Sequence, residues 1–402
     1  MEYFSTMSDD PRHAAYTRWL GAAQLIGVVR AEPGITRAAA AQRLGIGTGG
    51  AADMVARLRQ ARLLDETPAP AQGRGRPTTV LGPHPDGPLV LAAEVRAADW
   101  RLAVAGIDGR PRPVAGGAYS DDELDVALDR LADAIGTAYR RNAKRVNALA
   151  VSFAGTVSDA KLVQFTSRRR RDVDLSVLTS RIPRRAAVAL LIGNDATWAG
   201  LAEARTGAAR DAGTSLHLIV AQGIGGTVVV DGIPLCGAHG AAGEYGHVPF
   251  GDPALACPCG ARGCWDLTVD GRALARLRGD APPEDPVGYV HRMLEEPRDA
   301  RTRQALDIVA ASLGRGIGAL VNLHDPDVIT LGGVGAGLRA AAAGAFDTAY
   351  RDALMAYRQD APPPVRDAEH GEEATLHGAV IMAMDHVTSP AGLADWAERQ
   401  RV

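Results

Sequence analysis

The stretch "HVPFGDPALACPCGARGC", residues 247–264, holds three of the four cysteines in this 402-residue chain. Its spacing, H-x9-C-x-C-x4-C, is formed by His247, Cys257, Cys259 and Cys264. Three thiolates and one imidazole complete a tetrahedral shell suited to Zn²⁺, and no position is left for water, so we expect a structural metal. Gly260 and Gly263 permit the tight turns that bring the sulfurs together. The alternative is three unconnected buried thiols, and the fourth cysteine, Cys236, is expected to be a small buried residue.

Composition narrows the class of protein. Apolar residues make up 46% of the chain, enough for a sizeable core, and aromatic residues only 4%. We see no run of about 20 apolar residues and expect no bilayer span. The N-terminal residues have no basic start followed by an apolar run, so we expect no signal peptide and a cytoplasmic protein with reduced thiols. Residues 1–80 carry ten arginines and seven acidic residues, a net charge of +3, whereas residues 81–402 carry −6. This favours a polyanionic partner for the N-terminal region alone.

Residues 1–82 have the pattern of a winged helix-turn-helix. Apolar residues recur at helical spacing from residue 16, Thr36 is placed as an N-cap, and Gly45 is placed as a stop. The following "TGGAADMVARLRQARLL" puts Ala51, Val55 and Leu58 on one helical face, and two short strands then flank a Pro/Gly-rich turn. An ordinary small helical domain is the alternative.

The rest of the chain alternates strands and helices, which predicts mixed α/β sheets covered by helices. Two similar halves each open with a strand hairpin, which suggests two lobes around a cleft. The run "RRRR", residues 168–171, is most simply a solvated loop.

Several segments resemble the ROK family (repressor, open reading frame, kinase). "GEYGHVPFGDPALACPCGARGCWD", residues 243–266, is similar to the family's zinc signature, GExGH followed by CxCGxxGCxE. Further similar segments are "LIGNDATWAGLAEA", "AQGIGGTVVVDG", "HDPDVITLGG", "GITRAAAAQRLGI" and "QGRGRP". The resemblance covers about residues 15–390. It implies an α/β protein in which an N-terminal winged helix-turn-helix precedes two actin-like lobes of the sugar-kinase type around a cleft.

The resemblance also implies domain limits. We expect a DNA-binding domain over residues 1–82 and a first lobe over residues 83–205, completed by a C-terminal helix at 374–395. The second lobe, over residues 206–373, would carry the zinc loop.

By the same resemblance, one group of residues binds a sugar. Asp195 stands where the family's kinases have their catalytic base, although a helix N-cap is an equally simple role for it. His247 would both face the sugar and hold zinc, and Asp266 replaces a glutamate with a side chain one methylene shorter. The expected sugar-binding residues are Asn194, Asp195, Glu244, His247 and Asp266.

The segment that would hold ATP phosphates departs from the family pattern. Kinases of the family carry DxGGT, in which glycines let the backbone approach the phosphates. The aligned residues 94–98 are EVRAA, so both glycines and the hydroxyl are replaced, and Arg96 is expected to fill the space. We therefore expect no catalysis and an Asp195 that binds ligand without chemistry.

We predict few base contacts from the second helix of the helix-turn-helix, which is the helix that would enter the major groove. Its start, "GTGGAAD", offers only Thr48 for an early hydrogen bond. The hairpin tip "GRGRP" resembles an AT-hook, which suits a narrow, A/T-rich minor groove. Solvated arginines and a flexible tip are the alternatives. The expected DNA contacts are Thr36, Arg37, Thr48, Arg57, Arg74 and Arg76.

Three functions follow from these observations. The leading one is a sugar-responsive transcriptional regulator, a repressor, in which a sugar or sugar phosphate shifts the DNA-binding heads. Its partners would be an A/T-rich inverted repeat in double-stranded DNA and further copies of the chain, in a homodimer or homotetramer. The alternatives are an active ATP-dependent sugar kinase with a vestigial head, and a ligand-blind regulator controlled by a protein partner.

Overall fold

The computed structural model describes residues 11–69, 79–120, 123–158, 161–166, 170–296 and 299–400, with the backbone alone for residues 11–18. The N-terminal head contains three helices and an antiparallel pair of strands. They are α1 (Pro11–Ala31), α2 (Arg37–Arg43), α3 (Thr48–Gln60), β1 (Leu64–Pro68) and β2 (Thr79–Pro83). Thr36 caps α2, since its side chain accepts a hydrogen bond from the Ala39 amide, and Gly45 adopts a positive φ of 64° after the helix. These two boundary predictions are confirmed.

The first lobe is built on a five-stranded mixed sheet. Its elements are β3 (Leu89–Val95), β4 (Asp99–Ala105), β5 (Arg112–Ala118), α4 (Leu124–Arg141), β6 (Val146–Phe153), β7 (Thr156–Ser158), β8 (Lys161–Phe165), β9 (Arg170–Asp174), β10 (Ala189–Asn194) and α5 (Asp195–Thr206). The main sheet has the order β10-β6-β3-β4-β5, and β7-β8-β9 form a small separate sheet. The β3–β4 and β4–β5 pairs are antiparallel, whereas β3, β6 and β10 are parallel.

The second lobe repeats this topology. Its elements are β11 (Thr214–Val220), β12 (Ile224–Val230), β13 (Ile233–Pro234), α6 (Gly271–Arg278), α7 (Pro286–Glu295), α8 (Ala300–His324), β14 (Val328–Gly333), α9 (Gly335–Ala341), α10 (Ala343–Asp352), α11 (Ala356–Gln359) and β15 (Val365–Asp367). The order β13-β12-β11-β14-β15 again joins an antiparallel hairpin to parallel strands. The predicted α/β fold with two actin-like lobes is therefore confirmed.

Two helices cross between the lobes. Helix α5 runs from β10 of the first sheet to β11 of the second, and α12 (Ala374–Thr388) follows β15 and packs on β3 and β6. The two helices touch closely, because a Cβ atom at Gly378 would collide with the Trp198 carbonyl. Helix α13 (Pro390–Arg399) then ends the described chain.

The head is not a separate body, because one apolar cluster joins it to the C-terminal helices. Leu25 and Ile26 of α1 belong to the same buried cluster as Met384 of α12 and Trp396 of α13. The Trp396 indole also donates a hydrogen bond of 2.7 Å to the Ala61 carbonyl at the end of α3. A movement of α12 and α13 is thus coupled to the head.

One sequence expectation differs from the structure. Arg170 begins β9 instead of lying in a loop, and it pairs with Asp125 at 2.8 Å. Helix α8 is long and apolar enough to cross a membrane by length and composition alone. It lies in the core of the second lobe, where Leu313, Ile317 and Leu320 are fully buried.

Candidate functional site

The four predicted metal ligands come together in one cluster. The ligand atoms of His247, Cys257, Cys259 and Cys264 all lie within 4.8 Å of one another. The Sγ atoms of Cys259 and Cys264 are 3.7 Å apart, and His247 Nδ1 is 3.9 Å from Cys257 Sγ. Ligands at the usual Zn–S distance of about 2.3 Å stand about 3.8 Å apart in a tetrahedron. The donor set and its spacing therefore fit a tetrahedral metal ion.

Burial favours the protonated form of two thiols in this cluster. Burial raises the pKa of the Cys264 thiol to about 12 and also raises the pKa of Cys257. A divalent ion stabilises the thiolate forms and would hold the loop closed. Cys236 lies outside the cluster and is exposed, so the prediction that it is buried is wrong. It follows the short edge strand β13, where its thiol faces only the Pro234 carbonyl.

Asn194 and Asp195 stand at the carboxyl edge of the first sheet, where β10 turns into α5. The Asn194 side chain caps the helix by accepting a hydrogen bond of 3.0 Å from the Thr197 amide. Its Nδ2 donates to the Gly155 carbonyl at 3.2 Å and to Asp195 Oδ1 at 3.0 Å. Because β6 and β10 are parallel, the residues after each strand meet at this edge. Asn194, and not Asp195, is therefore the N-cap of α5. The Asp195 carboxylate is oriented instead by its hydrogen bond with Asn194 Nδ2.

Asp195 lies in an electrostatic setting that favours its protonated form. Burial raises the pKa of Asp195 to about 7, the hydrogen bond from the Ala196 amide opposes this, and the carboxylates of Glu94 and Glu244 raise the pKa further. By surface area the residue is half-buried, so solvent still reaches part of it. Such a carboxyl group can accept or donate hydrogen bonds near neutral pH.

Glu244 and His247 lie on the short helix that precedes the cysteine loop. Glu244 Oε1 accepts a hydrogen bond of 2.7 Å from Thr156, and its Oε2 is 3.9 Å from His247 Nε2. Gly243 has a φ of 92°, and a Cβ atom there would collide with the Gly226 carbonyl. The imidazole thus has Nδ1 on the cysteine side and Nε2 on the carboxylate side, so a metal at the cluster would orient Glu244 through His247.

Asp266 is turned toward the backbone. Its Oδ1 accepts a hydrogen bond of 2.6 Å from the Ile224 amide, and its Oδ2 is 3.7 Å from His247 Nδ1. Burial raises the pKa of Asp266 to about 6. Gly223 and Gly246 leave room for this carboxylate, since a Cβ atom at either would contact it.

The hairpin at residues 94–101 is closed by internal ion pairs. Glu94 is 4% exposed, and its carboxylate lies 2.5 Å from Arg101 Nη2 on the neighbouring strand. Arg101 Nη1 lies 2.5 Å from the Glu373 carboxylate at the start of α12. The expectation that Arg96 fills this space is corrected: Arg96 pairs with Asp99 at 2.7 Å within its own hairpin, and the arginine that pairs with Glu94 is Arg101.

Sequence reasoning missed Arg101 and Thr156. Arg101 was detectable, because it stands directly opposite Glu94 in the β3–β4 register and opposite charges on facing positions attract. Thr156 follows β6, but its contact with Glu244 joins residues far apart in the chain, and no local pattern indicates it.

The predicted DNA contacts lie on the head. Thr36 caps α2, Arg37 pairs with Glu66 at 3.3 Å, Thr48 is the exposed first residue of α3, and Arg57 is in its last turn. Arg74 and Arg76 lie outside the described residues.

The fold and the residues at its carboxyl edge are those of a class of two-lobed α/β proteins that includes sugar kinases and transcriptional regulators. The sequence model of the ROK family matches residues 119–386, and the chain belongs to this family. The structure of a ROK family transcriptional regulator, a homologue of the E. coli MLC protein, superposes with a TM-score of 0.72. It is 21% identical and covers 95% of this chain and 99% of that chain. The shared fold thus extends over the head as well as both lobes.

Relatives of both kinds occur in the family. An N-acetyl-D-glucosamine kinase of Pectobacterium carotovorum is 30% identical over 212 residues, which are 48% of this chain and 65% of the kinase. The xylose repressor of Bacillus subtilis is 29% identical over 174 residues, 43% of this chain and 44% of the repressor. The ROK hexokinase of Thermus thermophilus is 28% identical, with a TM-score of 0.57 over 73% of this chain and 97% of the hexokinase. The chain spans less than two thirds of the first two proteins.

Proposed function

We propose that this protein is a DNA-binding transcriptional regulator, a repressor, whose two-lobed body binds a sugar without phosphorylating it. The observation that carries the proposal is the closed hairpin at residues 94–101 beside an open carboxylate at Asp195. The xylose repressor among the relatives and the regulator fold that extends over the head support the same function.

The domains would follow the sequence prediction. The head would end at residue 82, the first lobe would comprise residues 83–205 with the helix at 374–395, and the second lobe residues 206–373. The continuous apolar cluster between the head, α12 and α13 supports a head that moves together with the two-lobed body.

The sugar would lie at the edge where β10 meets α5. Asn194, Asp195 and Glu244 offer carboxylate and amide groups to its hydroxyls, and His247 would contribute Nε2. Asp266 holds the loop through the Ile224 amide, so its part in the site would be to position His247. Zn²⁺ in the His/Cys cluster would keep this loop in place and supply no chemistry.

The charged residues of the β3–β4 hairpin disfavour phosphate transfer. A phosphate cradle needs backbone amides free to approach the anion. Here Glu94 adds a negative charge at that place, and Arg101 is committed to two carboxylates. An incoming phosphate would meet repulsion from Glu94 and would compete for Arg101.

DNA binding would use the exposed N-terminal end of α3. Glycines precede and follow Thr48, and a Cβ atom at Gly47, Gly49 or Gly50 would touch nothing within 4 Å, so the backbone can approach a groove. Thr36, Arg37 and Arg57 would contact phosphates beside it, and Arg74 and Arg76 would reach an A/T-rich minor groove. Arg37 would have to exchange Glu66 for phosphate, so we propose a strongly salt-dependent affinity.

The experiment uses the full chain and three measurements. Oligonucleotides are selected from genomic DNA, titration calorimetry tests glucose, xylose, N-acetylglucosamine and their phosphates, and a coupled assay follows ADP release from ATP with each sugar. We expect selected DNA with an inverted repeat, a sugar that binds and changes the DNA affinity, and no ADP release above the protein-free rate. Sugar-dependent ADP release, or DNA binding that no sugar changes, would refute the proposal.

One observation favours a second function, an ATP-dependent sugar kinase. The pKa of Asp195, raised to about 7, suits a general base that takes a proton from a sugar hydroxyl near neutral pH. The same ADP assay decides between the two functions, because a kinase releases ADP with its sugar and loses this activity on D195N substitution.

A further inference from the structure

Asp385 of α12 stands between two arginines from different parts of the molecule. Its Oδ1 lies 2.7 Å from Nη1 of Arg30, in the last turn of α1 of the head. Its Oδ2 lies 3.5 Å from Nη2 of Arg205, in the last turn of α5. One carboxylate therefore serves two guanidinium groups that do not belong to its own helix.

Arg205 also contacts the second lobe, so its position depends on that lobe. Its Nε donates a hydrogen bond of 2.8 Å to the carbonyl of Gly232, in the turn between β12 and β13. Gly232 has a φ of 71°, and a Cβ atom there would collide with the Arg205 side chain. The guanidinium thus lies against this turn, and a shift of the turn moves it.

Helix α5 connects this arginine with the candidate sugar site. Asp195 begins the helix and Arg205 is in its last turn, about 15 Å further on at the usual rise per residue. The helix is buried from Ala196 to Glu203 and touches α12 backbone to backbone at Gly378. Such a closely packed helix moves as a rigid unit, so its two ends shift together.

We propose that Asp385 couples the two lobes to the DNA-binding head, by sharing its carboxylate between Arg30 and Arg205. The two guanidinium groups at this carboxylate repel each other, so a closer Arg205 reduces the net attraction that holds Arg30 in place and a more distant one increases it. The pair with Arg30 is partly buried, which preserves more of its Coulomb energy than a fully exposed pair would keep. The inference rests on the proposed function, since it specifies how sugar binding would reach the head.

The first test needs neither sugar nor operator. Arg30 and Arg205 each contact Asp385, so their effects on the unfolding equilibrium constant should be coupled through it. We expect R30Q and R205Q to deviate from multiplicative behaviour by a factor of at least about 2 when Asp385 is present, and to multiply when D385N is the background. Multiplicative effects in the wild-type background would overturn the proposal.

The second test measures the response of the head. DNA affinity is determined for the selected oligonucleotide with and without the sugar identified by calorimetry, in wild type, D385N, D385E and D367N. D367N is the matched control, because Asp367 pairs with Arg339 inside the second lobe at 3.3 Å. We expect wild type and D367N to show the same sugar-induced factor, typically about 5- to 150-fold for coupled sites. In D385N this factor should fall toward one while the sugar Kd stays unchanged, and D385E should restore most of it.

The outcomes separate this inference from the proposed function. A D385N protein that keeps the full sugar-induced factor would overturn the role of Asp385. If the wild-type protein showed no sugar effect on DNA but the first test showed coupling, the proposed function would fail and the link between head and lobes would stand.

Discussion

Glu94 and Asp195 are both acidic residues at the carboxyl edge of the first sheet, and their surroundings are opposite. Glu94 is the second-to-last residue of β3 and lies beside the guanidinium of Arg101 on the facing strand, and Arg101 also pairs with Glu373 at the start of α12. The Asp195 carboxylate accepts hydrogen bonds from Asn194 Nδ2 and the Ala196 amide, and within the described chain no arginine or lysine forms an ion pair with it. A cationic partner makes the first carboxylate part of the framework, whereas the second keeps free hydrogen-bonding capacity.

Under the proposed function, this difference would let a kinase-type fold bind a sugar without transferring phosphate. The β3–β4 hairpin and the β10–α5 corner lie in one sheet with β6 between them, and their hydrogen bonds and ion pairs involve separate residues. An ion pair can close the hairpin while the Asp195 corner stays open, because the ion pairs of Glu94 and Arg101 share no side chain with the hydrogen bonds of Asn194 and Asp195. Substitutions on the two sides should therefore have separable effects on stability and on ligand binding.

Loss of the metal cluster should have the largest effect. It should act on the side of the site that contains Asp195 (the open side) and not on the hairpin that contains Glu94 (the closed side). Cys264 is fully buried in the cluster, so C264S should remove one metal ion per chain, loosen the loop that holds Glu244 and His247, and abolish sugar binding. Structural zinc sites contribute about 10–16 kcal/mol in isolated peptides. Metal analysis and hydrogen exchange measure both effects, with the β3–β4 hairpin expected to keep its protection. C236S is the matched control, since Cys236 is exposed and outside the cluster; a C264S protein with full metal content would contradict the assignment.

Replacement of Arg101, the cation that pairs with Glu94, should destabilise the fold but leave sugar binding unchanged. R101M leaves the buried Glu94 carboxylate unpaired, which costs about 3–5 kcal/mol in comparable buried pairs. Partial exposure of Arg101 places the expected loss in unfolding free energy near the lower figure. Urea denaturation measures it, and E94Q/R101M should recover most of the loss because no unpaired charge remains. Equal stability of R101M and wild type would show that the hairpin is not held by this pair.

Replacement of the Asp195 carboxylate should have the converse effect, which is weaker sugar binding without loss of stability. D195N keeps the shape of the side chain but loses the charge-assisted hydrogen bonds to sugar hydroxyls, which are worth about 1.5–3 kcal/mol. We expect the sugar Kd to rise roughly 10- to 150-fold by calorimetry without loss of unfolding free energy. D307N, an exposed position on α8, is the control. If R101M weakened sugar binding as much as D195N does, the two sides would not be independent.

Much of the fold was predictable because its signals are local. The N-cap at Thr36, the stop at Gly45 and the hairpins of the two sheets each depend on neighbours in sequence, and the cysteine spacing alone brought the four ligands together. The family resemblance supplied the arrangement of the lobes.

What sequence reasoning missed depends on long-range contacts. The strand at Arg170 exists because β8 offers an edge to pair with, and its arginine finds Asp125 on α4. Arg101 binds residues at the start of α12, more than 250 positions away, and this contact leaves no periodic pattern. Cys236 is exposed because β13 is a short strand at the edge of its sheet, which composition does not indicate.

The smallest expected effect is a pH dependence of stability that belongs to the open side. The pKa of Asp195 is raised from an ordinary value near 3.8 to about 7, so above pH 4 the unfolded chain has released a proton that the folded protein still holds. The unfolding free energy should therefore fall as the pH rises from about 4 to about 7, by at most about 1.4 kcal/mol per pH unit, and then level off. Partial solvent exposure of Asp195 makes the actual slope smaller. Denaturation of wild type and D195N across this range isolates the contribution of Asp195, including its interaction with Glu94, because the substitution removes both. D195N should gain stability relative to wild type as the pH increases. Parallel curves would mean that Asp195 ionises in the folded protein as it does in water, and the contrast between the two carboxylates would then rest on Arg101 alone.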